Sequence, residues 1–231
     1  MKTDYFLGVG QGKRARQRLH EIFPGISFHI PPNYLCCNTD EQIAKTAEGY
    51  VAKALESSEA QVIMAESQAA PAVVAALASG DVAMPERLVL LQPLGLNRTS
   101  LGSDPVLRRK ELFRRSRLFW SHKHQSLSIA GNRWTLLVVV SQSLRYVKNL
   151  NKAYEIGASA DIVSALAQIA ARIPVDVYGS TDDSLFPFRE LQKVQAVTMH
   201  ELPGTHLNRA TPLGIAQLIE VLGDSLSRSR S

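Results

Sequence analysis

Three short stretches of this 231-residue chain carry side chains whose types and order suit acyl-transfer chemistry. In QVIMAESQAA, residues 61–70, an apolar run leads straight into Ser67, with Ala65 two residues before it and Ala69 two after. A serine hydroxyl attacks a carbonyl only when a base removes its proton. A sharp strand-to-helix turn would lift that hydroxyl clear of the sheet, and the backbones meet so closely there that only small residues fit two positions to either side. In VDVYGSTDDSLFP, residues 175–187, an apolar run ends at Gly179 and two acids follow, Asp182 and Asp183. In VTMHELPGTHL, residues 197–207, a third run is followed by His206 in a glycine-containing loop. Nucleophile, acid and base thus occur in that order, each just after an apolar run.

The elements that must position these groups alternate along the chain. Apolar runs at Tyr5–Gly10, Ile26–Ile30, Gln61–Ala65, Leu88–Leu91, Val175–Gly179 and Ala196–Glu201 read as six strands. Between them lie helical patterns over Lys13–Phe23, a stretch capped at Thr39 or Asp40 and running to about Ser57, Ala69–Ala78 closed by Gly80, Phe188–Val194, and Pro212–Leu222. Repeated strand–helix alternation predicts an α/β fold: a doubly wound, mainly parallel sheet covered on both faces. Functional groups of such sheets collect at the carboxyl ends of the strands. Residues 98–173 break the rhythm and read as a helical, basic insertion. The organisation expected is a core over 1–97 and 174–224, a cap or lid over 98–173, and a disordered polar tail over 225–231.

The segments AESQA (65–69), LVLLQPLGLN (88–97), GSTDDSLFP (179–187) and PGTHLNRATP (203–212) together resemble the α/β-hydrolase superfamily. The resemblance spans most of the sheet scaffold, and residues 98–173 stand where that family carries its variable cap. It implies a serine hydrolase that cleaves an ester, thioester or related acyl bond through an acyl-enzyme. Ser67 would be the nucleophile of a catalytic triad and His206 its base. The orienting acid is Asp182 by its spacing from Gly179, or Asp183 by its spacing to Pro187; the downstream proline favours Asp183. The oxyanion hole would take the N–H of Gln68 and that of Gln11 in the loop GVGQG. Two departures from the family pattern stand out. Both elbow glycines are alanine, and the usual leading antiparallel strands are missing. They leave open an inactive relative that binds a ligand or partner in the same cleft.

Other chemistries fit less well. GVGQGK misses the spacing of a phosphate loop and of a dinucleotide fingerprint, so no nucleotide cofactor is expected. His122 and His124 have no carboxylate or cysteine partners near in sequence, so no metal site is expected. The adjacent Cys36 and Cys37 do not suggest a disulfide scaffold, which makes a reducing cytoplasm the default. His200, inside a strand, reads as packed. The formal net charge of +5 is uneven: residues 98–152 hold twelve Lys or Arg against Asp104 and Glu111. Within them, Val106, Phe113 and Trp120 recur every seven residues, as on an amphipathic helix. As a cap helix it would pack this stripe on the body with its charges solvated outside; acting in function, the charge would attract an anionic, small or lipid-like acyl substrate or contact an anionic membrane surface, rather than nucleic acid. If the first strand is a sheet edge, pairing across it would make a dimer.

Overall fold

The computed structural model describes residues 2–8, 13–30, 37–97, 104, 106–107, 110–111, 114–115, 152–153, 155–158, 160–183, 185–204 and 212–228. Six strands form one sheet: β1 (Thr3–Phe6), β2 (Ile26–His29), β3 (Val62–Glu66), β4 (Arg87–Leu91), β5 (Val175–Ser180) and β6 (Val197–Leu202). Their order is β2-β1-β3-β4-β5-β6, and every pairing is parallel. The chain leaves β1 to one side, returns past it, and then adds strands on the other side. The switch point lies between β1 and β3, and in open parallel sheets the ligand crevice forms at the carboxyl ends beside such a switch.

Among the described residues, five helices pack against the sheet: α1 (Lys13–Ile22), α2 (Asp40–Glu56), α3 (Ala69–Ser79), α4 (Val163–Ala170) and α5 (Pro212–Arg228). Val51 and Leu55 of α2, Val73 and Leu77 of α3, and Leu166 and Ile169 of α4 pack on one face against Ile63, Leu88, Leu90 and Val177. Leu19 of α1 and Leu218, Val221 and Leu222 of α5 pack on the other against Tyr5, Met64, Val89, Leu91 and Tyr178. β1, β3, β4 and β5 are buried throughout, as continuous apolar runs covered on both faces should be.

Local sequence explains the helix ends. Thr39 caps α2: its hydroxyl accepts the Gln42 N–H, and the Gln42 side chain accepts the Thr39 N–H in return. α3 closes at Gly80, whose φ is +81°.

Three expectations are corrected. The last helix does not end at Leu222 but runs to Arg228, so residues 225–228 are helical rather than part of a disordered tail. Phe188–Val194 does not form a helix; only a 3₁₀ turn spans Phe188–Glu190, and Leu191 is already extended. The Gln192 N–H donates to the Leu96 carbonyl, and Leu191 and Val194 enter the core, so tertiary contacts outweigh local helix preference. Nor is the first strand an edge: β1 lies between β2 and β3, and the edges are β2 and β6. Pairing of two copies across the first strand, conditional on its being an edge, therefore has no free edge to use.

A buried charge cluster ties three strands together. The Arg87 Nε and Nη2 donate to Asp176 Oδ2 at 2.8 and 2.5 Å. The His200 ring contacts Asp176 Oδ1 at 2.6 Å and stacks on Tyr178. His200 is thus packed as expected, engaged well before the carboxyl ends of the strands.

Candidate active site

The strand–serine–helix turn is present, and it is strained. Ser67 has φ +50°. In that left-handed region Cβ crowds the following carbonyl, at a cost of about 1–2 kcal/mol. The surroundings hold it there. The Ser67 N–H donates to the Leu91 carbonyl (2.9 Å), extending the β3–β4 ladder by one residue. Its carbonyl accepts the N–H groups of Ala70 (3.2 Å) and Leu94 (3.1 Å). Strain that its surroundings over-determine is characteristic of functional positions.

The loop leaving β1 presses on this turn. The Gly8 N–H donates to Glu66 Oε2 at 3.0 Å, and the Glu66 side chain is fully enclosed. A Cβ on Gly8 would lie 3.2 Å from both Glu66 Cδ and Ser67 Cβ, so glycine is what permits the approach. The strand ends on either side of the switch point therefore meet at the serine. Gln68 opens α3, and among the described residues its N–H has no hydrogen-bond acceptor.

The two candidate acids separate clearly. Asp183 is 1% exposed, and its Oδ1 accepts the N–H groups of Leu185 (2.8 Å) and Phe186 (3.0 Å). Asp182 is exposed; its N–H donates to the Gly204 carbonyl at 2.9 Å. That bond, with Thr181 N–H to the Leu202 carbonyl, joins the acid loop to the segment leaving β6. The Ser67 and Asp183 loops also share packing: Leu94, which donates to the Ser67 carbonyl, clusters with Leu185 and Phe186. His206 and Gln11 lie outside the described residues, as do Cys36, His122, His124, Phe113 and Trp120.

Sequence reasoning missed a latch on the acid loop. Arg115 is 7% exposed and donates to the Leu185 carbonyl (2.9 Å), Glu190 (2.7 Å) and Glu111 (2.8 Å). Hydrogen bonds from Arg114 and Arg115 hold the Glu111 carboxyl down to about 2. Arg115 is thus a buried strut within the basic segment, whereas Val106, expected on the packed stripe, is 61% exposed. No local signal distinguishes Arg115 from its neighbours in the RRSR run. Glu66, as the acceptor for the Gly8 N–H, likewise has its partner far away in sequence.

Among the described residues no group of three or more His, Cys, Asp or Glu is placed to hold a metal ion, and no helix is long and apolar enough to cross a membrane.

No protein-family model matches the chain, and no curated protein matches it. Solved structures do. The non-heme bromoperoxidase BpoC of Mycobacterium tuberculosis H37Rv superposes with a TM-score of 0.58 at 15% identity, over 99% of this chain and 91% of that one. The RedJ thioesterase of Streptomyces coelicolor gives 0.57 at 15%, over 96% and 84%. The NocB thioesterase domain, in covalent complex with a fluorophosphonate nocardicin G analogue, gives 0.56 at 15%, over 97% and 93%. The parallel sheet with its strained turn after β3, and its likeness to these structures over nearly the whole chain, make this an α/β-hydrolase fold.

Proposed function

We propose that the protein is a serine hydrolase that cleaves an ester, thioester or related acyl bond through an acyl-enzyme. The observation that carries this reading is the left-handed Ser67, held at the carboxyl end of β3 beside the switch point. In the proposed cycle Ser67 Oγ attacks the acyl carbon while its proton passes to His206. The carbonyl π electrons move onto oxygen, and the oxyanion is met by the N–H of Gln68 and by that of Gln11. Collapse of the adduct breaks the bond to the leaving alcohol or thiol, which takes the proton from His206. Water then repeats the sequence on the acyl-enzyme and releases the acid. Asp183 is the proposed orienting acid. Its burial and its two backbone donors fix the carboxylate in place. Asp182, exposed, lacks both properties.

The test is fluorophosphonate labelling of the purified protein, with the adduct mapped by mass spectrometry. Labelling at Ser67, lost in Ser67→Ala, is the expected result; an unlabelled, folded protein would overturn the reading. It would favour the second one, a ligand-binding protein using the same cleft. That alternative draws on Ala65 and Ala69 in the elbow and on the absence of an antiparallel strand among the described residues.

A further inference from the structure

Asp183 is held by the backbone that follows it. Its Oδ1 accepts two N–H groups, from Leu185 at 2.8 Å and from Phe186 at 3.0 Å. The second donor belongs to the Leu185–Phe186 peptide unit, and the carbonyl of that same unit accepts Arg115 Nη1 at 2.9 Å. Arg115, one peptide unit and the Asp183 carboxylate therefore form a continuous chain of hydrogen bonds. A peptide unit is planar, so its C=O and N–H turn together. Whatever fixes the Leu185 carbonyl also fixes the Phe186 N–H aimed at the acid. A cation on the carbonyl oxygen polarises the amide as well, which strengthens the N–H as a donor on the far side.

Arg115 is itself firmly placed. It is 7% exposed; its Nη1 also donates to Glu190 Oε2 at 2.7 Å, and its Nε to Glu111 Oε1 at 2.8 Å. Glu190 ends the 3₁₀ turn that follows the acid loop, so one guanidinium grips both ends of residues 185–190. Leu185 and Phe186 are buried in the cluster with Leu94, whose N–H donates to the Ser67 carbonyl. Arg114 differs: it pairs with the same Glu111, but its side chain is 63% exposed. A buried ion pair is often no more stabilising than apolar packing of equal size. The informative feature of Arg115 is therefore where it points, onto the peptide that holds Asp183.

We propose that Arg115 is a positioning residue for the triad acid: acting through the Leu185–Phe186 peptide, it holds the Asp183 carboxylate in the orientation that His206 requires. This deepens the serine-hydrolase reading and rests on it.

The test is a double-mutant cycle in the full-length protein, read as kcat and KM for a neutral ester. Arg115→Met keeps the apolar bulk but cannot donate; it should lower kcat about 10–100-fold, as a misplaced catalytic group does, with KM within about twofold. Arg115→Lys keeps the charge between Glu111 and Glu190 but lacks the fork that also reaches the Leu185 carbonyl, so it should lose about fivefold. Arg114→Gln should leave kcat unchanged. In the Asp183→Asn background both Arg115 substitutions should cost less than about twofold, because the group through which Arg115 acts has gone. Amide exchange gives a second readout: the Phe186 N–H should exchange about tenfold faster in Arg115→Met, while the Ala76 N–H in α3 keeps its wild-type rate. Equal losses in both backgrounds, or an unchanged Phe186 rate, would overturn the proposal. If Arg115→Met does not fold, Arg115→Lys decides alone: wild-type kcat, or a loss that persists in the Asp183→Asn background, would overturn it. Fluorophosphonate labelling of the wild type separates the two levels. Labelling at Ser67 with equal losses in both backgrounds leaves the hydrolase reading standing and removes Arg115 from it; an unlabelled protein removes both.

Discussion

Replacing Ser67 by glycine and by alanine should separate the backbone demand of the site from its chemistry. Both substitutions delete the hydroxyl, so both should lose activity alike, on the order of 10⁶-fold if the triad acts as a unit. Their stabilities should differ, and in an unusual direction. At an ordinary helical position alanine is more stable than glycine by about 1 kcal/mol, because glycine has more chain entropy to lose. Residue 67 sits at φ +50°, where a Cβ costs about 1–2 kcal/mol. Subtracting the entropy penalty of glycine leaves Ser67→Gly ahead of Ser67→Ala by roughly 0–1 kcal/mol, and the general loss of alanine to glycine at positive φ places the expected gap at the upper end, about 1 kcal/mol. For a chain of this length the gap corresponds to about 2–4 °C in Tm. Reversible urea unfolding of the two variants provides the assay. Ala76→Gly, inside α3, serves as the control in which glycine must be the less stable choice. If alanine matches or exceeds glycine at position 67, the residue does not occupy the left-handed conformation, and the argument for a nucleophile at this turn loses its main support.

Asp183→Asn should lower turnover about 10⁴-fold, while Asp182→Asn should change it less than about threefold; kcat for a neutral ester measured on both variants decides between them. The reverse ranking would make the exposed carboxylate the orienting acid. Gly8→Ala should cost roughly 10–100-fold in kcat, because its Cβ would press Ser67 and Glu66 from 3.2 Å and displace the reacting group. An unchanged kcat in the folded variant would show that the elbow tolerates the shift. Glu111 links pH to stability. Its carboxyl falls from the ordinary 4.5 to about 2 in the folded chain, so its contribution is full above about pH 4.5 and is lost as pH falls toward 2. The urea midpoints of wild type and Glu111→Gln should therefore differ most above pH 5, draw together as pH falls through 4 and 3, and converge only near pH 2; a constant difference would dissociate Glu111 from the Arg114 and Arg115 pairs.

How much of this was legible in the sequence depended on whether the deciding contacts were local. α2 could be read almost to the residue, because its capping box and the spacing of Ile43, Val51 and Leu55 lie within the helix itself. The strands could be read because continuous burial selects continuous apolar runs. The same rule could have kept β1 away from the edge: an unbroken Tyr5-Phe6-Leu7 run suits a strand covered on both faces, whereas β2, with exposed Ser27 beside buried Phe28, has the pattern of a border. The turn at 188–190 was not legible, because a hydrogen bond to Leu96, far away in sequence, redirects the chain. Arg115 was hidden for the same reason: its partners Leu185 and Glu190 are 70 and 75 residues away.

The alanines at 65 and 69 acquire a different meaning from this geometry. In sequence they look like a weakened elbow, since glycine is what a tight strand-to-helix turn ordinarily requires. The turn is nevertheless made, with Ser67 itself carrying the left-handed conformation and Leu91, Leu94 and Ala70 fixing its backbone groups. Ala65 fits within the sheet, fully buried and paired with Phe6. The demand for a residue without a side chain falls instead on Gly8, across the switch point, where the neighbouring strand end meets Glu66 and Ser67. The alanines flanking the serine are therefore compatible with an intact turn. The substitution expected to disturb the proposed site without touching its chemical groups lies 59 residues upstream of Ser67, at Gly8.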